Sequence, residues 1–122
     1  MGLNYAEDYG GGIWVRLVPD VVINDTEVVG NRAEIQGGGI WCYGTVTLSG
    51  STHIHNNVLF GAACNGGGVY VDAGTINLLN ITIGYNQATK GDGMYLRLGV
   101  TRNPVAGGVN YEGGDKEFAE LT

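Results

Sequence analysis

Residues 37–42 read GGGIWC, and the same hexapeptide pattern occurs three more times, as GGGIWV at 10–15, GGGVYV at 66–71 and GDGMYL at 91–96. The glycine triplets begin at 10, 37, 66 and 91, giving periods of 27, 29 and 25 residues. A near-constant period in a chain of 122 residues marks a repeated structural unit with variable loops. After each triplet comes an apolar-aromatic-apolar run: Ile13-Trp14-Val15, Ile40-Trp41-Cys42, Val69-Tyr70-Val71 and Met94-Tyr95-Leu96. Period-two alternation is a strand with one buried face, so the aliphatic residues point in and the aromatics point out.

Two further runs follow within the unit. Val21-Val22-Ile23, Val46-Thr47-Leu48 and Ile76-Asn77-Leu78 form the second, preceded by Pro19, Gly44 and Gly74 in turn. Thr26-Glu27-Val28, Thr52-His53-Ile54 and Ile81-Thr82-Ile83 form the third. Three residues beyond each last aliphatic stands Asn31, Asn57 or Asn86. No helical period occurs. Equivalent strands recur once per unit, so the natural partner of each strand is its own copy one unit later. That arrangement is a parallel β-helix of three to four coils, with three short strands per coil and a rise of about 4.8 Å per coil.

The glycines follow from this stacking. At a corner the chain turns sharply and lies on its own copy, so Gly12, Gly39, Gly68 and Gly93 are expected where a Cβ would collide. Asn31, Asn57 and Asn86 are expected at another corner, using the tolerance of asparagine for left-handed backbone and stacking as an amide ladder. Three inner columns are predicted: Ile13/Ile40/Val69/Met94, Val15/Cys42/Val71/Leu96 and Val28/Ile54/Ile83. The repeat region is placed at 10–103, with non-repeat tails or caps at 1–9 and 104–122.

Composition narrows the function. Glycine supplies 23 residues, and 43% of the chain is apolar, which is against a disordered linker. The six Lys and Arg are scattered in a chain of net charge −6, so nucleic acid and anionic membranes are poor partners. No apolar run is long enough to span a bilayer, and no secretory signal follows Met1. The chain is then either cytosolic or a mature or recombinant piece of something larger; surface and secreted proteins often have this composition, so the second, with an extracellular or cell-surface location, is expected. Cys42 and Cys64 read as small buried hydrophobes, a bridge being the alternative.

The stretches VVGNRAEIQGGGI (28–40), IHNNVLFGAACNGGGV (54–69) and IGYNQATKGDGM (83–94) share one form: aliphatic, two residues, asparagine, spacer, glycine-rich corner, aliphatic. This resembles the repeat of polymorphic outer-membrane proteins and related autotransporter and adhesin passengers, over about residues 10–100. Where that repeat usually has Phe, this chain has Val28, Ile54 and Ile83. The resemblance implies a right-handed helix sense and a structural or adhesive role. The same superfamily holds pectate lyases and polygalacturonases, whose signatures are not met. Residues 24–26 read Asn-Asp-Thr, no aspartate pair occurs, and His53 and His55 lack flanking glycines. Asp72 and Arg97 are expected on neighbouring coils as a surface ion pair.

The outward column Trp14, Trp41, Tyr70 and Tyr95 is the candidate ligand surface, a flat strip on which a sugar ring or partner protein can stack. The alternative is that a loop or tail covers it, or that the rings strengthen the sheet. His53 and His55 share one strand face with Glu27 one coil below His53, but two surface histidines are ordinary, and neither a metal nor a cofactor is assigned. Asn24-Asp25-Thr26 and Asn80-Ile81-Thr82 have the N-glycosylation acceptor pattern.

The sequence therefore points to a non-catalytic extracellular structural or adhesive module that presents its aromatic strip to glycan or protein. The alternative is a relative or fragment of a pectin-lyase-like carbohydrate-active enzyme without its catalytic residues. Open strand edges at both ends, and the similar GLNYAE (2–7) and GVNYEG (108–113) outside the repeat, point to self-association, head-to-tail or lateral, into a fibre or oligomer. Residues 115–121 are expected as a short helix or strap.

Overall fold

The computed structural model describes residues 4–6, 9–104 and 107–120, with 17–19 described at the backbone. The first coil supplies β1 (Ile13–Asn24), β2 (Glu27–Val29) and β3 (Arg32–Ala33). The second supplies β4 (Ile40–Ser49), β5 (His53–His55) and β6 (Val58–Leu59). The third supplies β7 (Val69–Leu78) and β8 (Ile81–Gly84). The fourth supplies β9 (Met94–Leu96), β10 (Thr101–Asn103) and β11 (Val109–Glu112), and β12 (Glu117–Ala119) begins a fifth. Every strand pair among the described residues is parallel, and no helix occurs among them. The chain is a parallel β-helix of about four turns.

Like segments lie on like segments. Ile13 pairs with Ile40, Ile40 with Val69 and Val69 with Met94; Val15, Cys42, Val71 and Leu96 form the next column. Val28, Ile54 and Ile83 form a third. These columns, Val15 apart, and the inward residues of the second run make one core, with Ile13 and Val21 partly buried against it. Cys42 is a free thiol inside it, and burial pushes its pKa up to about 12. Cys64 is also free and belongs to a separate small cluster with Ala33 and Leu59.

The strand count per coil differs from the expectation. The first two runs of each unit are halves of one long bent strand, as in Ile40–Ser49 and Val69–Leu78. Gly44 (φ 141) and Gly74 (φ 103) sit in the bend, where the register shifts without ending the pairing. The loops after Asn31 and Asn57 hold a short third sheet, β3 on β6, that no hydrophobic run announced, and Gln87 after Asn86 adds a single bridge to Val58.

The asparagine ladder is real, but the left-handed residue is its neighbour. Gly30 (φ 68), Asn56 (φ 54), Tyr85 (φ 58) and Gly114 (φ 80) carry the positive φ, each just before a ladder position. That turn aims the next side chain along the stack. Asn31 N–H and Nδ2 donate to Asn57 Oδ1 at 3.0 and 3.1 Å, and Asn57 does the same to Asn86 Oδ1 at 2.9 and 3.0 Å. Asn57 Nδ2 also donates to Val28 O at 3.0 Å, closing the corner. The third glycine of the triplet is required here: a Cβ on Gly39 would stand 2.9 Å from Asn57 Nδ2 and 2.7 Å from Gly68 O.

The stretches expected as tails contribute to the stack. Asn4 donates through N–H and Nδ2 to Asn31 Oδ1, both at 3.0 Å, so it is the first rung. Asp115 is the last, accepting from Asn86 N–H and Nδ2 at 3.0 and 2.8 Å. Asn110 instead lies opposite Thr82 in β11, so the likeness of residues 2–7 to 108–113 does not reflect equivalent positions. Residues 117–119 are strand rather than helix, and Leu121 lies outside the described residues.

The final coil changes chemistry. Arg102, Tyr111 and Glu117 occupy the column positions of Ile76, Ile83 and Met94. Arg102 grips Glu117 through Nε and Nη2 at 2.7 and 2.9 Å, and the Tyr111 hydroxyl donates to Glu117 at 2.7 Å. Burial raises the Tyr111 pKa, so it remains a donor. This network closes the C-terminal end of the apolar core.

Candidate functional site

The aromatics do form a column, pointing outward on the largest sheet. Trp14, Trp41, Tyr70 and Tyr95 pair in register, and Phe118 extends the column by one. Trp14 stacks on Trp41 with centroids 5.5 Å apart, Tyr70 on Tyr95 at 5.3 Å, and Tyr95 on Phe118 at 5.1 Å. Parallel pairing at strand spacing places the rings of these three pairs face to face, so each covers its partner.

Exposure therefore depends on position in the stack. Trp41, Tyr70 and Tyr95 are only 6, 2 and 6% exposed, whereas Trp14 is 52% and Phe118 38% exposed. Side contacts complete the cover. Tyr9 stacks on Trp41 at 5.5 Å, Tyr43 lies beside it at 6.5 Å, and the Trp41 indole N–H donates to Gln36 Oε1 at 3.1 Å. The Tyr95 hydroxyl donates to Glu120, and burial with this bond raises its pKa to about 12. The middle of the column is thus a second, external core.

Its two ends remain open, Trp14 more than Phe118. A groove of about 360 Å³ runs beside Trp14, floored by Tyr9, Trp41 and Tyr43 and edged by Arg16. The Asp72–Arg97 pair, 3.1 Å apart on adjacent coils, stands at its far side. An aromatic floor with fixed polar groups at the rim is suited to a sugar or a planar side chain. Tyr9, Tyr43 and Arg16 were not singled out from the sequence, because no repeat position marks them.

Gly12, Gly39, Gly68 and Gly93 lie at the corners, the first three against Asn31, Asn57 and Asn86 and the last against Tyr111. His53 and His55 stand on the β2–β5–β8–β11 sheet, away from the aromatic column, with their rings stacked 4.0 Å apart. Asn24 and Asn80 are exposed. Comparison with known proteins finds no matching family model, no matching curated protein and no matching solved structure.

Proposed function

We propose that this chain is a non-catalytic structural and adhesive β-helix module of the cell surface. In this reading it binds glycan or protein at the Trp14 groove and associates with other copies through its first coil. The observation that carries the reading is the exposure of Trp14, the most exposed ring of the column, beside an aromatic-lined groove. An indole half open to water costs apolar hydration that the three middle rings avoid. It lies on β1, which among the described residues pairs only with β4 and leaves a long edge. Val22 on the same strand is 65% exposed. The likeness of the repeat to polymorphic outer-membrane and autotransporter passengers supports an extracellular setting and a right-handed helix sense.

The test is a panel of neutral and acidic polysaccharides, scored for retention of the chain and for release of reducing or unsaturated ends. Retention without product is expected, and Trp14→Ala should weaken it about tenfold while the thermal melt is preserved. Equal retention by Trp14→Ala would remove the groove from the function. Released product would favour the carbohydrate-active enzyme reading. Sedimentation velocity over a wide concentration range tests the association, and a strict monomer would count against it.

A further inference from the structure

We propose that His53, His55, Glu27 and Glu112 form a surface site for one divalent transition metal ion, with zinc the best match to its donors. The inference is independent of the Trp14 groove. Glu27, His53 and His55 each offer a ligand atom, all within 4.8 Å of one another. Parallel stacking brings them together: Glu27 pairs with His53 in register, and His55 follows two residues on along the same face.

Glu112 arrives by a less obvious route. In register it follows Gly84, and Gly84 follows His55. A Cβ at Gly84 would stand 2.7 Å from Glu112 Cβ and 3.2 Å from its Oε1. The missing side chain gives the carboxylate room to fold back across the third coil, where Oε1 reaches 3.5 Å from His53 Nε2.

Two details point to an ion rather than to a hydrogen-bonded patch, and a third is compatible with one. First, His53 Nε2 is shielded from solvent and has no hydrogen-bond partner among the described residues. A shielded nitrogen without a partner is costly and calls for one. Secondly, 3.5 Å is long for a charge-assisted hydrogen bond. Yet two donors bound to one tetrahedral zinc at ordinary bond lengths lie about 3.4 Å apart. Thirdly, both ring nitrogens of His55 face oxygens, Nδ1 against Asn56 Oδ1 and Nε2 against Glu27 Oε2, each at 2.7 Å. The contact to Glu27 is an ion-pair contact, so zinc would take the place of the Nε2 proton and widen the 2.7 Å separation while Asn56 holds the other nitrogen. An imidazole held through its other nitrogen by an oxygen acceptor is the usual outer support of a metal-bound histidine. Two imidazoles with carboxylates favour zinc, copper, nickel or cobalt over calcium or magnesium. Once bound, the ion ties the first, second and fourth coils together.

The chain has only two histidines, so the test is clean. The untagged chain is titrated calorimetrically with zinc, and with cobalt while visible absorption is followed. One ion per chain is expected, with a cobalt spectrum of low coordination number and a raised melting temperature. His53→Ala and His55→Ala should each abolish this binding, and Asn56→Ala should weaken it roughly tenfold. Should the histidine variants not fold, proton NMR of the wild type decides: both imidazole Hε1 signals must move together and saturate at one equivalent of zinc. Absence of saturable binding, binding unchanged in the folded histidine variants, or movement of only one imidazole signal would overturn the proposal.

Discussion

Truncating Asn57 to alanine tests whether the ladder holds the coils together. Its side chain makes four hydrogen bonds of 3.0 to 3.1 Å: two accepted from Asn31 and two donated, to Val28 O and to Asn86 Oδ1. The residue is fully buried, so no water replaces them. A net contribution of about 1 kcal/mol per bond gives a loss of about 4 kcal/mol. Against the ~5–15 kcal/mol that ordinarily separates native from unfolded domains, that is a large share. Equilibrium urea unfolding followed by fluorescence and by far-UV circular dichroism measures it, with the slope unchanged if only the native state is affected. Asn77→Ala is the control. That side chain donates to Thr47 Oγ1 and accepts from Asn103 Nδ2, both at 3.2 Å, on a half-exposed face where water replaces them, and its loss should cost about 1 kcal/mol or less. If Asn57→Ala costs no more than Asn77→Ala, the ladder is a consequence of stacking and not a cause of its stability.

Other perturbations probe the corners and the ends. Gly39→Ala places a Cβ against the backbone of the next coil and against Asn57, and should destabilise by about 2 kcal/mol in the same urea assay. Asp115 is buried, and burial raises its pKa despite the bonds from Asn86. A carboxyl raised on folding lends stability at low pH that is lost as pH rises from the ordinary aspartate range through the raised value. Asp115→Asn keeps an acceptor without the charge, so its stability advantage over wild type should grow across that window and then level off in paired urea melts. Arg102→Met strips the cap from Glu117 and Tyr111 and should cost about 2 kcal/mol while increasing concentration-dependent association by light scattering.

The stacking was legible because two periods coincide. Alternation assigned each side chain to a face, and the glycine period aligned the faces, so all three predicted inner columns occur. Exposure was not legible. Alternation shows that Trp41, Tyr70 and Tyr95 point outward, but flat rings at strand spacing cover one another, and Gln36 and Tyr9 close over Trp41. Asn4 and Asp115 were recoverable. They stand 27 residues before Asn31 and 29 after Asn86, within the spread of the repeat, yet the local likeness of residues 2–7 to 108–113 masked this. Glu112 was not recoverable, since its approach to His53 depends on an absent side chain in the coil between.

The two ends differ in a way that bears on how copies join. Along the ladder each rung donates to the oxygen of the next, and Asp115 accepts from Asn86 without an amide N–H on its side chain to pass on. At the other end Asn4 donates through Nδ2 to Asn31, so by the pattern of the ladder its side-chain oxygen is the atom that a preceding rung would donate to. Joining Asp115 of one copy to Asn4 of another sets acceptor against acceptor. The core repeats the mismatch, because Arg102 and Glu117 would meet the half-buried Val21 and Ile13 of the next chain. Head-to-tail growth is therefore disfavoured twice over. Two first coils meeting across a twofold axis avoid both conflicts: each offers the β1 edge, and Pro19 removes only one donor from it. Such contact closes on itself. Sedimentation should then reveal a dimer that stops at two copies, and growth into filaments would show that the polar C-terminal coil does not act as a stop.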